Sequence, residues 1–173
     1  MTIFKNNAME KRITSTKELL IRELSENDVN AIFEIYSDKE AMKFRGSAPF
    51  ENVEDANSMI QKVAENNKSG TEFRYAIVEK KSNTVIGTFL ITPISHVSCI
   101  IGCSIGKKYW RLGYGQETMT IMSKYLGKLH YKKLIGLVKK ENIPSIRLVE
   151  KMNFKLVDQK EYPECYKYEL PIE

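Results

Sequence analysis

The spacing of apolar side chains switches several times along the chain, and each switch marks an element. Glu18–Leu24 reads as a strand, and Ser25-Glu26-Asn27-Asp28 then reads as a helix start with Ser25 as N-cap. Val29, Ile32, Phe33 and Tyr36 follow at helical spacing. Val53–Asn66 predicts a second amphipathic helix, with Ala56, Met59, Ile60 and Val63 on one stripe. The period then changes to two. Phe73, Tyr75 and Ile77 alternate with Arg74, Ala76 and Val78; Lys80–Asn83 is a turn, and Thr84–Ile91 completes a hairpin. Val97–Ile105 is a third strand of this region, with Val97, Cys99, Ile101, Cys103 and Ile105 on one face. Gly102 inside it predicts a bulge or a close backbone approach; an ordinary edge kink is the plainer alternative.

Helical spacing returns over Gly113–Leu129, where Met119, Met122, Leu126 and Leu129 form a stripe. Lys133–Val138 is a short buried strand. Asn142–Lys151 is a short helix with Pro144 in its first turn, where a missing N–H costs nothing, and Asn153 suits a left-handed stop. Phe154–Asp158 and Cys165–Leu170 read as the last strands. Residues 1–17 are polar and aperiodic, so the expectation is a leader at 1–17 and one domain over 18–173. With no repeats and no linker, the order of elements predicts one mixed α/β domain.

Composition narrows the class. The 173 residues are 42% hydrophobic and 28% charged, with nine glycines and five prolines, which excludes collagen, low-complexity disorder and a disulfide miniprotein. Lys and Arg number 27 against 22 Asp and Glu, so the +5 charge favours an anionic partner such as a phosphate-bearing small molecule. No long Lys/Arg block exists, and direct nucleic-acid binding is not expected. Cys99, Cys103 and Cys165 cannot all pair and form no C-x-x-C, while His96 and His130 lie far apart, so no metal site is expected. No apolar run approaches the ~18 residues of a membrane span, and the N-terminus lacks a signal peptide's apolar stretch; a cytoplasmic protein without a membrane partner is expected.

The chemistry concentrates in Ile105-Gly106-Lys107-Lys108-Tyr109-Trp110-Arg111-Leu112-Gly113-Tyr114-Gly115-Gln116-Glu117. A strand ends, a basic loop follows, and a long helix begins. Unpaired amides at a helix N-terminus, with the positive end of its dipole, form an anion site. Gly113 and Gly115 let backbone approach a diphosphate, and Lys107, Lys108 and Arg111 add positive charge. The P-loop pattern fails for want of Lys-Ser or Lys-Thr, and the dinucleotide fingerprint fails at its third glycine, which is Thr118.

Trp110-Arg111-Leu112-Gly113-Tyr114-Gly115 resembles the pyrophosphate motif [QR]-x-x-G-x-[GA] of the GNAT superfamily of N-acyltransferases, at every position but the first. Trp at that position, the Gly-Tyr pair and the following Glu117 resemble its RimJ/RimL-like branch of ribosomal-protein N-acetyltransferases. Asn142 through Phe154 is similar to that branch's N-x-x-S-x-x-x-x-E-K-x-G-F, and Leu20–Leu24 with Asn27-Asp28 fits the family's opening strand and helix. The resemblance implies a mixed, mostly antiparallel sheet of about six or seven strands with a splayed, bulged central strand, flanked by about four helices. It also implies transfer of an acetyl group from acetyl-CoA to a primary amine, by direct attack in a ternary complex and with no metal. The acceptor is a protein N-terminus or a small-molecule amine, and the assembly a monomer or homodimer. An acyl-CoA-binding module with weak or no catalysis, regulatory or partner-binding, is the alternative.

The resemblance carries over to particular residues. Cys103, Ser104 and Ile105 would offer backbone groups to the pantetheine arm, and Trp110, Arg111, Leu112, Gly113, Tyr114, Gly115 and Gln116 would bind the pyrophosphate. Asn142 is a cofactor contact, a helix cap, or both. Ser145 is either the general acid for the departing thiolate or an ordinary first-turn serine. Val149 stands where many members carry that acid as a tyrosine, and Ile100 where the branch often carries its basic glutamate. The general base is therefore unassigned; His96, Glu79 and Tyr166 qualify by residue type only. Cys103, with no partner placed by motif, reads as a small apolar residue.

Overall fold

A strand whose residues are apolar on both faces needs cover on both sides. Phe73–Glu79 (β3) is such a strand. In a computed structural model of the chain, which describes residues 12–158 and 160–173, it lies inside one eight-stranded sheet. Before it come Arg12–Ser15 (β1), Leu19–Glu23 (β2), and the helices Val29–Ser37 (α1), Lys39–Met42 (α2) and Val53–Ser69 (α3). After it come Thr84–Pro93 (β4), Ser98–Ile105 (β5), Tyr114–Lys128 (α4), Lys133–Lys139 (β6), Ile143–Lys151 (α5), Lys155–Val157 (β7) and Cys165–Pro171 (β8). The strand order is β1-β2-β3-β4-β5-β6-β8-β7, antiparallel throughout except for the parallel β5/β6 pair.

The alternation along β3 divides the core. Tyr75 and Ile77 pack with Phe89, Ile91, Met119, Met122, Leu126 and Val149 under α4 and α5. Ala76 and Val78 pack with Ile32, Ile35, Tyr36, Ala56 and Ile60 under α1 and α3. The expected hairpin and the four longer helices are all present. Their ends follow local chemistry. Asn52 caps α3 by accepting from the Asp55 amide at 3.1 Å, Gly70 stops it at φ 75°, and Asn153 takes φ 65° beyond α5.

Three features depart from the expectations. The stretch read as a polar leader contributes β1, which pairs with β2 and packs Ile13 against the core. Four residues with one partly buried apolar side chain carry too little periodicity to stand out. β8 enters the sheet between β6 and β7, so the two closing strands take their places out of chain order. The ladder between β4 and β5 runs unbroken through Gly102, paired with Leu90, so no bulge sits there against β4; a Cβ at Gly102 would meet Leu90 at an ordinary 3.6 Å. The register shift lies instead between β3 and β4, where Ile77 faces Gly87 and Val78 faces Val85, leaving Ile86 as the extra residue.

Asp28, 5% exposed, ties β2 to the start of α1. It accepts from the Ser25 amide at 2.8 Å and from both terminal nitrogens of Arg22 at 2.8 and 2.7 Å. Burial alone would raise its carboxyl pKa, but the bonds from Arg22 and Ser25 and the guanidinium charge hold it below the ordinary value. A folded value below the unfolded one stabilises the protein above about pH 4, and that stabilisation fades as pH falls through the folded value. Asp28→Ala is expected to cost about 2–3 kcal/mol at neutral pH, a fall of roughly 5–10 °C in Tm. Melting curves from pH 7 down to pH 3 should show the gap between native and variant proteins closing.

Candidate active site

The parting of β5 from β6 creates the site. Their parallel ladder runs only from Ser98 opposite Lys133 to Ile101 opposite Gly136. Beyond it β5 continues against β4 as far as Ile105, while β6 continues against β8. Cys103, Ser104 and Ile105 therefore have strand partners on one side only, and their other edge is open. The splay expected from the resemblance is present, without the bulge expected to cause it. β5 is drawn towards β4 here: a Cβ on Gly87 would stand 2.2 Å from the Ser104 carbonyl oxygen, an approach only glycine permits.

The open strand feeds directly into the loop that starts α4. Residues Lys107–Tyr109 form a 3-10 turn, and Trp110 Nε1 donates to the Ile105 carbonyl at 2.8 Å, fastening the loop to the strand end. Arg111 at φ 63° and Gly113 at φ 85° are both left-handed. Glycine enters that region at no steric cost, and nothing lies within 4 Å of the Cβ it lacks. Gly113 caps α4 without a side chain, and its carbonyl accepts from the Glu117 amide at 3.0 Å. Among the described residues no backbone carbonyl accepts from the amides of Arg111 through Gln116. A turn of free amides on the positive end of a 15-residue helix suits an anion.

The side chains around this turn have separate roles. Leu112 is exposed. The Tyr114 hydroxyl donates to the Glu79 carboxylate, and the Tyr114 ring lies 6.5 Å from that of Tyr109. Gly115 lets Leu148 of α5 settle 3.4 Å from where its Cβ would stand, so α5 leans over the first turn of α4. Gln116 lies on the other flank, where Thr16, Gly113, Glu117, Thr120, Ile121 and Lys124 line a recess of about 310 Å³. The expected ring of positive charge is smaller than the sequence suggests. Lys107 pairs with Glu40, and Lys108 with Glu34 at 2.6 Å, both turned towards α1 and α2. Arg111 is exposed, and no ion pair joins it to an acid among the described residues.

At the start of α5, Asn142 Oδ1 accepts from the Ser145 amide at 3.2 Å, so Asn142 is a cap. That bond uses the Ser145 amide and leaves its half-buried hydroxyl outside the cap. The residues weighed as general base are placed elsewhere or already engaged. His96 sits exposed in the turn between β4 and β5, at the opposite end of β5 from Cys103. Hydrogen bonds from Ser82 and Tyr114 hold the Glu79 carboxylate below its ordinary range. Tyr166, opposite Val138 on β8, packs edge-on to Tyr168 with centroids 6.4 Å apart. Ile100 pairs with Thr92 and Ile135 and brings no proton acceptor.

One cluster has no counterpart in the sequence reading. Tyr36, read there only as a core position of its helix, shares a 2.7 Å hydrogen bond with Thr88 and accepts from Arg74 at 2.8 Å. Phe50 stacks against its ring at 5.2 Å, and the Arg45 guanidinium lies over the ring, 4.4 Å from the centroid. Arg45 belongs to the aperiodic stretch between α2 and α3, where no spacing marks a residue as inward-facing.

Comparison with known proteins places this geometry in a family. The profile of the acetyltransferase (GNAT) domain matches residues 18–155. An uncharacterized N-acetyltransferase, YoaA of Bacillus subtilis (strain 168), is 30% identical over 145 residues, 82% of either chain. Two solved structures share the fold. Spermidine N-acetyltransferase from Vibrio cholerae, in complex with CoA and spermine, has a TM-score of 0.76 at 16% identity, over 91% of this chain and 97% of that one. RimL, a ribosomal L7/L12 alpha-N-protein acetyltransferase, has a TM-score of 0.80 at 16% identity, over 93% and 94%. The chain belongs to the GNAT acetyltransferase family, and its enzyme class is acyltransferase.

Among the described residues no helix is long and apolar enough to cross a membrane, and no three His, Cys, Asp or Glu side chains could hold a metal ion. Cys103 deserves no nucleophilic role: burial pushes its thiol up to about 12, and the pull of Arg45 offsets this only in part. At pH 8 that leaves about a thousandfold less thiolate than a thiol of ordinary pKa. Iodoacetamide labelling followed by peptide mass spectrometry is expected to leave Cys103 unmodified while the native fold persists, and to label it once the chain is unfolded in urea.

Proposed function

We propose that this protein is an acetyl-CoA-dependent N-acetyltransferase that acetylates a primary amine by direct attack in a ternary complex. The observation that carries the reading is a juxtaposition. The open edge of β5 at Cys103–Ile105 runs straight into the free amides of Arg111–Gln116. One is suited to an extended amide-bearing arm and the other to a diphosphate, and acetyl-CoA joins those two chemistries in one molecule.

In this reading Cys103, Ser104 and Ile105 hold the pantetheine arm by backbone groups. The turn from Trp110 to Gln116 holds the pyrophosphate, with Arg111 as its available side-chain cation. Asn142 acts through its cap, fixing the first turn of α5 and with it Ser145. The ammonium gives up one proton to solvent, and the free amine attacks the thioester carbonyl. The C–N bond forms, the C–S bond breaks, and the nitrogen loses its second proton to solvent; the sulfur leaves as a thiolate that takes a proton from the Ser145 hydroxyl, which solvent reprotonates. The solved relatives named for spermidine and for a ribosomal-protein N-terminus support an amine acceptor, and the RimL likeness supports the RimJ/RimL-like assignment.

Acetyl-CoA is expected to raise Tm because it binds only the folded chain. No shift at millimolar acetyl-CoA contradicts the reading. Ser145→Ala should lower kcat by about tenfold to a hundredfold with little change in KM for acetyl-CoA, the pattern of an interaction made in the transition state. An unaltered kcat in a variant of native Tm removes Ser145 from the mechanism.

A further inference from the structure

The Arg45 guanidinium is a charge without an answer. Its Nη1 is shielded from solvent and has no hydrogen-bond partner among the described residues. The rest of the group lies over the Tyr36 ring and interacts with the Tyr36 hydroxyl. Burial pulls its pKa down; Tyr36, through its charge and a hydrogen bond, and Cys103 oppose this, Arg74 adds to it, and no carboxylate among the described residues offsets it. Arg74 is better served, with Glu72 at 3.7 Å and the Tyr36 hydroxyl at 2.8 Å. A shielded cation beside a second cation is costly unless an anion completes it.

The position of this charge is informative. Tyr36 holds Thr88, and Thr88 lies directly opposite Ser104 on the open part of β5. Arg45 also acts on Cys103, the first of the three open-edge residues. The uncompensated guanidinium thus borders the reacting end of the proposed thioester slot, on the side facing α1 and α2. It is also distant in kind from the phosphate turn, whose cation is Arg111.

We propose that Arg45 receives an anionic group on the acceptor, so that the substrate is a small amine that also carries a carboxylate or a phosphate. This rests on the acetyltransferase reading above. A guanidinium presents parallel N–H donors that fit either group, and a bound anion would satisfy the orphaned Nη1. The same charge, with Arg74 beside it, repels a polyamine.

The test compares matched amines at saturating acetyl-CoA, following release of the CoA thiol. The pairs are 4-aminobutyrate with 4-aminobutanamide, and phosphoethanolamine with ethanolamine; spermidine is the polycation. The native enzyme is expected to favour the anionic member of at least one pair by about 10–100-fold in kcat/KM, the worth of a charge-assisted hydrogen bond. The pair that responds tells carboxylate from phosphate. Arg45→Met should erase the preference and Arg45→Lys should keep part of it. Since Arg45→Met removes a half-buried charge with no acid partner among the described residues, its Tm should equal or exceed that of the native protein, and the Tm rise caused by acetyl-CoA should persist. Equal rates within both pairs, a preference for spermidine, or a preference that survives Arg45→Met overturns the proposal. Acetyl-CoA that neither raises Tm nor is consumed overturns the acetyltransferase reading itself, and this inference with it.

Discussion

The structure turns on a single unequal pairing. Four residues of β5 bond to β6 and the rest do not, while β6 continues against β8 and β5 against β4. Gly87 makes that hold possible by admitting the Ser104 carbonyl into the space a side chain would fill. The exposed edge, the direction of the loop after Ile105 and the placement of α4's N-terminus all follow. Trp110 then fastens loop to strand, and Leu148 fastens α5 to α4 through the missing Cβ of Gly115. The slot and the amide turn are built almost wholly from main chain.

Much of this was legible in the sequence, for identifiable reasons. The hairpin, the longer helices and their caps depend on neighbours within a few residues, and Asn52, Gly70 and Asn153 act as such local signals. The glycine turn was legible because Gly113 takes φ 85° and leaves amides unbonded, which is local geometry again. What lay beyond reach is set by distant partners. Gly102 drew attention as a glycine within a strand, yet the close approach belongs to Gly87, one strand away. β1 became a strand because β2 offered an edge, and β8 lies between β6 and β7, bonded to both.

Charge shows the same division. Lys107 and Lys108 stand beside the glycine turn in sequence, yet their amines reach back to Glu40 and Glu34. Such exposed pairs are screened by solvent, so they orient a loop more than they stabilise it. Arg45 and Arg74, unremarkable in sequence, form with Tyr36 a polar cluster on the α1 side of the sheet. The proposed phosphate end of the site is thus assembled from backbone and the opposite end from long side chains. The first could be read from a motif, and the second only from the fold.

Amide hydrogen exchange with and without acetyl-CoA tests the central claim most directly, because the account assigns binding to backbone groups. Slower exchange is expected at Arg111–Gln116 and along Cys103–Ile105, with the strands on the far side of the sheet unchanged. Protection confined to the recess along Thr120 and Lys124, with those two segments exchanging as before, would contradict it.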